Sequence, residues 1–356
     1  MASVLILPFQ WNNTTRDFGQ CPPESAKIAI DTLSSAESAL LFMAPIVAVL
    51  MDPIEQITPN KDTTLAMMLE AQRRGYELRY LQMQDLAIRE GRAWARLSPV
   101  RVADDPQQWF ELGPAQWCDL AEVDVVLIRK DPPFDGEYLY ATQILELSEQ
   151  YGTQVINSPQ GLRDANEKLA ALWFPQCLAP VLVSSDRKLL RAFVDEHQHA
   201  VGKVLDGMGG HNVFMTRADD PNLGVILDTL TASGSRYAMV QRYLPEIAAG
   251  DKRILMIDGV AVDHCLARIP QGKEFRGNLA QGGKGEVREL SDRDRWICEQ
   301  VAPELKRRGL RFVGLDVIGD YLTEVNVTSP TCVREIDAAT GSNIAGMLFD
   351  RLQVGR

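Results

Sequence analysis

RFVGLDVIGDYLTEVNVTSPTCVRE, Arg311 to Glu335, reads as two apolar strands joined by a short turn, yet it carries Asp316, Glu324 and Asn326. Burying a charge costs several kcal/mol unless it is paired or bound to metal, so these side chains need a reason. Residues two apart share a face of a strand, which groups Glu324 and Asn326 with Leu322 and Thr328, and Asp316 with Gly314 and Ile318. Turn length decides whether the two sets meet. A two-residue Gly319-Asp320 turn pairs Asp316 with Thr323, whereas a longer loop of Gly319, Asp320 and Tyr321 sets Asp316 opposite Glu324. The odd-length loop is the expectation, because it gathers the oxygen donors on one face. Such donors, with no His or Cys among them, suit Mg²⁺, with Mn²⁺ as an alternative, bridging nucleotide phosphates. The pattern also fits the solvated side of an antiparallel pair. Against that, the polar face runs straight into Thr328-Ser329-Pro330-Thr331, small hydrogen-bonding groups suited to a site.

Working back along the chain, VGKVLDGMGGHNVF places Lys203 on a strand, with Gly207, Gly209 and Gly210 in a turn before Val213. Glycines let backbone N–H groups converge on phosphate oxygens, and a nearby lysine supplies countercharge. Alone, a strand-turn-strand with three glycines is more often a plain hairpin. MVQRYLP, Met239 to Pro245, offers an apolar strand whose backbone can meet an adenine edge, followed by Asp251 as a candidate for a ribose hydroxyl; a buried linker strand explains it as well. Arg253, Arg268, Arg276 and Arg334 lie around these segments, and arginine is the usual bidentate partner of carboxylates and phosphates. His197 and His199 read as an exposed helix end, and Met67-Met68 as core.

The region before the glycine turn alternates strands and helices. PIVAVLMDP, Pro45 to Pro53, reads as a buried parallel strand, and Thr63 to Arg74 as a helix stopped by Gly75. YELRYLQM, VDVVLIRKDPPFD and TQVINSP continue the alternation, predicting an α/β module with a mainly parallel sheet over residues 44–165. Ligands bind beyond the strand C-termini of such sheets, so the loops at Asp52 and at Arg129-Lys130-Asp131 are expected to face one cleft. From Asn166 the texture changes to a helix over Glu167–Phe174, then short strands and glycine-rich turns. IPQGKEFRGNLAQGGKGE, Ile269 to Glu286, is too polar to pack and reads as a lid. Residues 1–43 read as loop plus one amphipathic helix over Ser25–Phe42. They fit either an extension ahead of a start at Met43 or a docking helix.

The chain has 356 residues, with 37 Lys plus Arg against 48 Asp plus Glu, a net charge of -11. That balance argues against nucleic acid or an anionic membrane as the main partner. No apolar run is long enough to span a bilayer. Six scattered cysteines without a CxxC point to reduced thiols of the cytoplasm rather than disulfides or a zinc site.

The segments MDPIEQITPNKDTT, AQRRGYEL, RKDPPFD, LRDANEK, LDGMGG, GDKRILMIDG, LARIPQG, RGNLAQGG, FVGLDVIGD and LTEVNVTSPTCVREI, in that order from about Pro45, resemble the bacterial glutathione synthetases of the ATP-grasp superfamily. The resemblance implies an N-terminal α/β domain followed, over residues 166–353, by two ATP-grasp subdomains with antiparallel sheets that clasp ATP. It implies ligation of γ-glutamylcysteine to glycine with ATP and Mg²⁺, and a homo-oligomer, tetrameric in known cases. Another ATP-grasp carboxylate–amine ligase and a nucleotide-binding module without catalysis are the rival readings. Carried over by motif, Lys168 and Lys203 look like the ATP-phosphate lysines, with the turn of Gly207, Gly209 and Gly210 over the phosphates. Gln241, Arg242, Tyr243 and Leu244 look like the adenine hinge, Asp251 the ribose contact, and Asp316, Glu324 and Asn326 the metal ligands. Arg253, Arg268, Arg276 and Asn278 look like contacts to phosphate and peptide substrate. Ser329, Thr331 and Arg334 look like neighbours of the substrate carboxylates, with Asp52 and Arg129 on the substrate side of the cleft. The chain departs from the family pattern at Val204, where proline is usual, and at His211, where a small residue is usual.

Overall fold

The computed structural model describes residues 44–272, 274–277, 279, 282–352 and 354. The expected helix over Ser25–Phe42, the alternative start at Met43 and the expected substrate contact Asn278 lie outside these residues. PIVAVLMDP forms strand β1 (Ile46–Met51), buried along its whole length, as a strand with helices or other layers on both faces must be. It is flanked by β2 (Glu77–Leu81) and β7 (Val125–Arg129), and β7 by β8 (Gln154–Ile156), all parallel. An antiparallel extension of β3 (Leu86–Arg89), β4 (Arg92–Val102), β5 (Phe110–Leu112) and β6 (Gln116–Asp119) completes an eight-stranded mixed sheet, ordered β3-β4-β2-β1-β7-β8 with β5 and β6 on β4. Helix α1 (Thr63–Arg73) starts where the Asp62 side chain accepts from the Leu65 amide at 2.6 Å, and the chain turns away at Gly75, whose φ is +80°. Gly75 is the stop that the sequence predicts, and Asp62 supplies the N-cap. Helices α2 (Gly136–Glu149) and α3 (Pro159–Asp164) follow β7 and β8.

The second sheet is antiparallel, ordered β11-β10-β12-β9, from β9 (Val181–Ser184), β10 (His199–Val204), β11 (Val213–Arg217) and β12 (Ala238–Arg242). It is backed by α4 (Arg187–His197) and α5 (Leu223–Thr231). The third sheet, also antiparallel, runs β15-β14-β13-β16-β17 from β13 (Asp251–Ile257), β14 (Val260–Ile269), β15 (Lys284–Glu289), β16 (Phe312–Ile318) and β17 (Tyr321–Asn326). Helices α6 (Asp292–Arg307), α7 (Val333–Thr340) and α8 (Ile344–Phe349) surround it.

The hydrophobic interior does not follow the sheet boundaries. One cluster joins Ala48, Leu50 and Ile128 of the first sheet to Val313, Leu315 and Val325 of the third. A second joins Val47, Val49 and Leu127 to Leu255, Ile257 and Phe312. Only the second sheet has a core of its own, with Leu190 and Val194 of α4 and Leu227 and Leu230 of α5 packed on Ala200, Val204 and Val240. The second sheet is thus a lobe, and the first and third sheets share one body.

Three expectations are corrected. The helix expected over Glu167–Phe174 is reduced to a 3₁₀ turn at Ala170–Trp173, because Asn166 caps the amides of Lys168 and Leu169 and Pro175 follows at once. The polar stretch Ile269–Glu286 is not all loop, because Lys284, Gly285 and Glu286 pair with Ile269, Arg268 and Ala267 as part of β15. The hairpin turn is Gly319-Asp320, not the longer loop: Ile318 pairs with Tyr321 and Val317 with Leu322. Gly319 at φ +56° permits the tight turn. The register then shifts between Asp316 and Val317, leaving Thr323 as the extra residue of a β-bulge, so Asp316 does stand opposite Glu324. The Thr323 hydroxyl donates to the Asp316 carbonyl at 3.1 Å across that bulge.

Candidate active site

A cavity of about 340 Å³ lies where the second sheet, the third sheet and the end of the first face one another. One wall comes from the lobe. Lys203 near the end of β10 and the turn of Gly207, Gly209 and Gly210 line it, as do Gln241 and Arg242 at the end of β12 and Tyr243 and Leu244 beyond it. The opposite wall is the third sheet, contributing Asp251 and Arg253 from β13, Arg268 from β14, Asp316 from β16, and Glu324 and Asn326 from β17. Ser329 and Thr331 close one side, and Arg276 of the polar loop reaches in from another.

Four buried charges on the third sheet hold one another in place. Arg253 Nε donates to Asp316 Oδ1 at 2.6 Å and Arg253 Nη2 to Oδ2 at 3.0 Å, a bidentate fork. Arg268 Nη2 lies 2.9 Å from Asp316 Oδ2 and 2.5 Å from Asp251 Oδ2. Register explains the meeting: Arg253 is the cross-strand partner of Asp316, and Asp251 is that of Arg268. Burial works against the Asp316 charge, but Arg253 and then Arg268 outweigh it and hold the carboxyl well below the usual range. Asp251 behaves oppositely: burial pushes it up to about 6, with Arg268 opposing, and its Oδ1 is buried without a hydrogen bond beside the cavity.

The lysines span the two walls. Lys168 Nζ donates to the Gly207 carbonyl at 2.5 Å and to Glu324 Oε1 at 3.1 Å, tying the glycine turn to the hairpin. Burial lowers the Lys203 pKa, with Glu324 opposing. Arg276 is held by Glu274, with Nε to Oε1 at 2.9 Å and Nη2 to Oε2 at 2.8 Å, and its Nη1 donates to the Gly210 carbonyl at 2.8 Å. Gly207 is required by space, since a Cβ there would stand 2.7 Å from Val204 Cγ2 and 3.0 Å from the His211 carbonyl oxygen. The two positions at which the chain departs from the family pattern thus stand against Gly207 of the glycine turn.

No group of three His, Cys, Asp or Glu side chains able to hold a metal occurs among the described residues. The hairpin set is two carboxylates and an amide. It still fits Mg²⁺: its side chains present hard oxygens, Asp316 and Glu324 are in direct cross-strand register, and Asn326 follows two residues on. Phosphate oxygens and water would complete the shell.

Asp52, Arg129 and Arg334 do not line this cavity. Asp52 pairs with Lys130 at 2.9 Å and accepts from the Asp131 amide at 2.9 Å, so the two loops do meet, with Asp131 and Pro132 reaching the cavity. Arg129 is buried, with Nε on Thr64 Oγ1 at 3.1 Å and Nη2 on the Pro330 carbonyl at 2.9 Å. Arg334 turns to Asp104 at 2.5 Å. Glu167, Phe275 and Cys332 line the cavity without having been singled out in the sequence. For Glu167 a signal existed in the Asn166-Glu167-Lys168 run, where the lysine drew the attention.

A family model described as "Prokaryotic glutathione synthetase, N-terminal domain" matches residues 46–163, and one described as "Prokaryotic glutathione synthetase, ATP-grasp domain" matches residues 167–341. A glutathione synthetase of Xanthomonas axonopodis pv. citri (strain 306) is 60% identical over 309 residues, 87% of this chain and 98% of that protein. One from Pseudomonas putida is 58% identical over 304 residues, 85% of this chain and 96% of that protein. Among solved structures, D-cycloserine synthetase DcsG superposes with a TM-score of 0.61 at 14% identity, over 86% of this chain and 100% of that one. The ATP-grasp ligase PsnB with its minimal precursor superposes at 0.58 and 17%, over 87% and 98%. Likeness at such identities speaks for the ATP-grasp fold alone, whereas the family models match residues 46–163 and 167–341. The chain belongs to the prokaryotic glutathione synthetase family.

Proposed function

We propose that this protein joins γ-glutamylcysteine to glycine, forming glutathione with release of ADP and phosphate from ATP. The observation that carries the reading is the 60% identity to a glutathione synthetase over 309 residues. The convergence of Lys168, Lys203 and the Asp316–Glu324–Asn326 hairpin on one cavity supports it.

The chemistry needs what the cavity offers. A carboxylate is a poor electrophile, so the γ-phosphoryl group of ATP is transferred to the cysteinyl carboxylate. A P–O bond forms there, the bond to the β-phosphate oxygen breaks, and ADP leaves. The glycine amine attacks the acyl carbon, the C–N bond forms, phosphate departs with the C–O electrons, and the amine gives up a proton. No side-chain nucleophile is required; charge placement and alignment suffice. Lys168 and Lys203 neutralise the phosphates over the glycine turn, while Arg253 and Arg268 hold Asp316 ionised and face the reacting carboxylate. Mg²⁺, held by Asp316, Glu324 and Asn326, would supply charge neutralisation on the transferring phosphoryl group. Gln241 to Leu244 form the adenine hinge, Asp251 takes the ribose, and Ser329 and Thr331 hold substrate. Arg129 acts through the Pro330 carbonyl behind that turn, and Asp52 and Arg334 stand further out. The loop carrying Arg276 covers the acyl phosphate from water. Residues 44–165 and 166–353 are the two functional domains, working in a cytoplasmic homotetramer.

The test is ADP release with γ-glutamylcysteine and each of glycine, D-alanine and glutamate as acceptor. Release that requires the dipeptide and is fastest with glycine is expected. Equal or faster release with another acceptor would move the protein to a different ligase activity, and no release with any pair would leave a nucleotide-binding module.

A further inference from the structure

Strand β17 ends at Asn326, so the amides of Val327 and Thr328 leave the ladder without a strand partner. Both donate to one oxygen, Glu167 Oε1, at 2.9 and 3.1 Å, and the Thr328 hydroxyl donates to the same oxygen at 2.8 Å. The Glu167 carbonyl accepts from the Val325 amide at 2.9 Å. The neighbours of Glu167 reach the other wall: Asn166 Nδ2 donates to the Leu205 carbonyl at 3.0 Å, and Lys168 Nζ to the Gly207 carbonyl. Three consecutive side chains therefore bridge the strand leading into the glycine turn and the exit of the carboxylate hairpin.

We propose that Glu167 is a positioning residue for the ligation. It fixes the chain from Val325 to Thr328, and with it Glu324, Asn326 and the Ser329–Thr331 turn, at a set distance from Lys168 and the phosphate turn. The inference rests on the ligase reading for its kinetic consequence and on the hydrogen bonds alone for its structural one. Buried N–H groups must be paired, and here the acceptor is a side chain of the segment that carries the phosphate lysine. Displacements of about 1 Å cost in-line transfer on the order of 100-fold.

Two variants separate geometry from charge. Glu167→Gln keeps an oxygen that accepts all three hydrogen bonds; Glu167→Ala removes it. Glu167→Ala is expected to lower kcat about 100-fold with the KM for ATP within about threefold of the parent, and Glu167→Gln to restore kcat to within about fivefold. Thr328→Val, which deletes one donor and spares the fold, is expected to lower kcat by about three- to tenfold. Amide exchange at Val327 and Thr328, read without turnover, is expected to accelerate in Glu167→Ala and stay slow in Glu167→Gln. Equal kcat loss in the Gln and Ala variants, or unchanged exchange and turnover in Glu167→Ala, would overturn the proposal. A parent protein that makes no glutathione would instead overturn the proposed function, leaving the exchange result to decide the bridge.

Discussion

Glu324 and Asn326 face the cavity from one edge strand, two residues apart. Glu324 accepts from Lys168, and Asn326 Nδ2 donates to the Gly314 carbonyl at 3.2 Å, which leaves its oxygen for a cation. Glu324→Ala or Asn326→Ala is therefore expected to lower ligation by at least about 100-fold, since a charge-stabilising contact is worth about 3 kcal/mol in the transition state, while the melting temperature stays near the parent's. Turnover assays paired with thermal melts check this, and normal turnover in either variant would remove the metal assignment. These residues stood out as candidates in the sequence because they break an apolar strand pattern. Glu167 broke no pattern, being one polar residue in a polar run, so its contacts emerged only from the folded chain.

At the scale of elements, the helices and strands with strong local signals were legible and the irregularities were not. Helix α1 announces itself through its stop at Gly75, whereas the Thr323 bulge depends on how β16 and β17 settle against their neighbours. Helix α1 also illustrates an element held by another one distant in sequence. Glu70 accepts from Arg73 at 2.7 Å, from Arg74 at 2.6 Å and from Asn343 at 3.3 Å, and Arg74 goes on to the Gly346 carbonyl at 3.0 Å, fastening α1 to α8. The hydrogen bond from Arg73, against burial and with Arg74 adding to it, holds the Glu70 carboxyl at about 2. A folded pKa below the unfolded one stabilises the fold above pH 4.5 and loses that contribution as pH falls toward 2. Thermal melts are expected to show a smaller loss of stability over that interval in Glu70→Gln than in the parent. An identical pH dependence would mean that the fastening contributes nothing.

The described residues form two bodies rather than three, which no local pattern could reveal, because the same alternation of apolar residues serves a separate core or a shared one. Asn157 is a fastening within the larger body. Its Nδ2 donates to the carbonyls of Phe312 and Val327 at 2.8 and 2.7 Å, and its Oδ1 accepts from the amides of Arg311 and Phe312 at 2.7 and 2.8 Å. Every hydrogen-bonding position of a buried amide is used to join the end of β8 to β16 and the exit of β17. Asn157→Ala leaves those backbone groups unpaired and is expected to cost about 3 to 5 kcal/mol, read as a lowered denaturation midpoint. A change below about 1 kcal/mol would show that the two sheets are held by their apolar contacts alone. The lobe keeps its separate core and faces this body across the cavity, with Lys168 tying the two walls together.

The central claim is that this cavity activates a carboxylate by phosphorylation before an amine attacks it. The most direct measurement supplies γ-glutamylcysteine labelled with oxygen-18 in its cysteinyl carboxylate, together with glycine, ATP and Mg²⁺, and weighs the inorganic phosphate formed. The account predicts that each phosphate released carries one labelled oxygen, with ADP and glutathione formed in equal amounts. Unlabelled phosphate accompanying glutathione formation would contradict it.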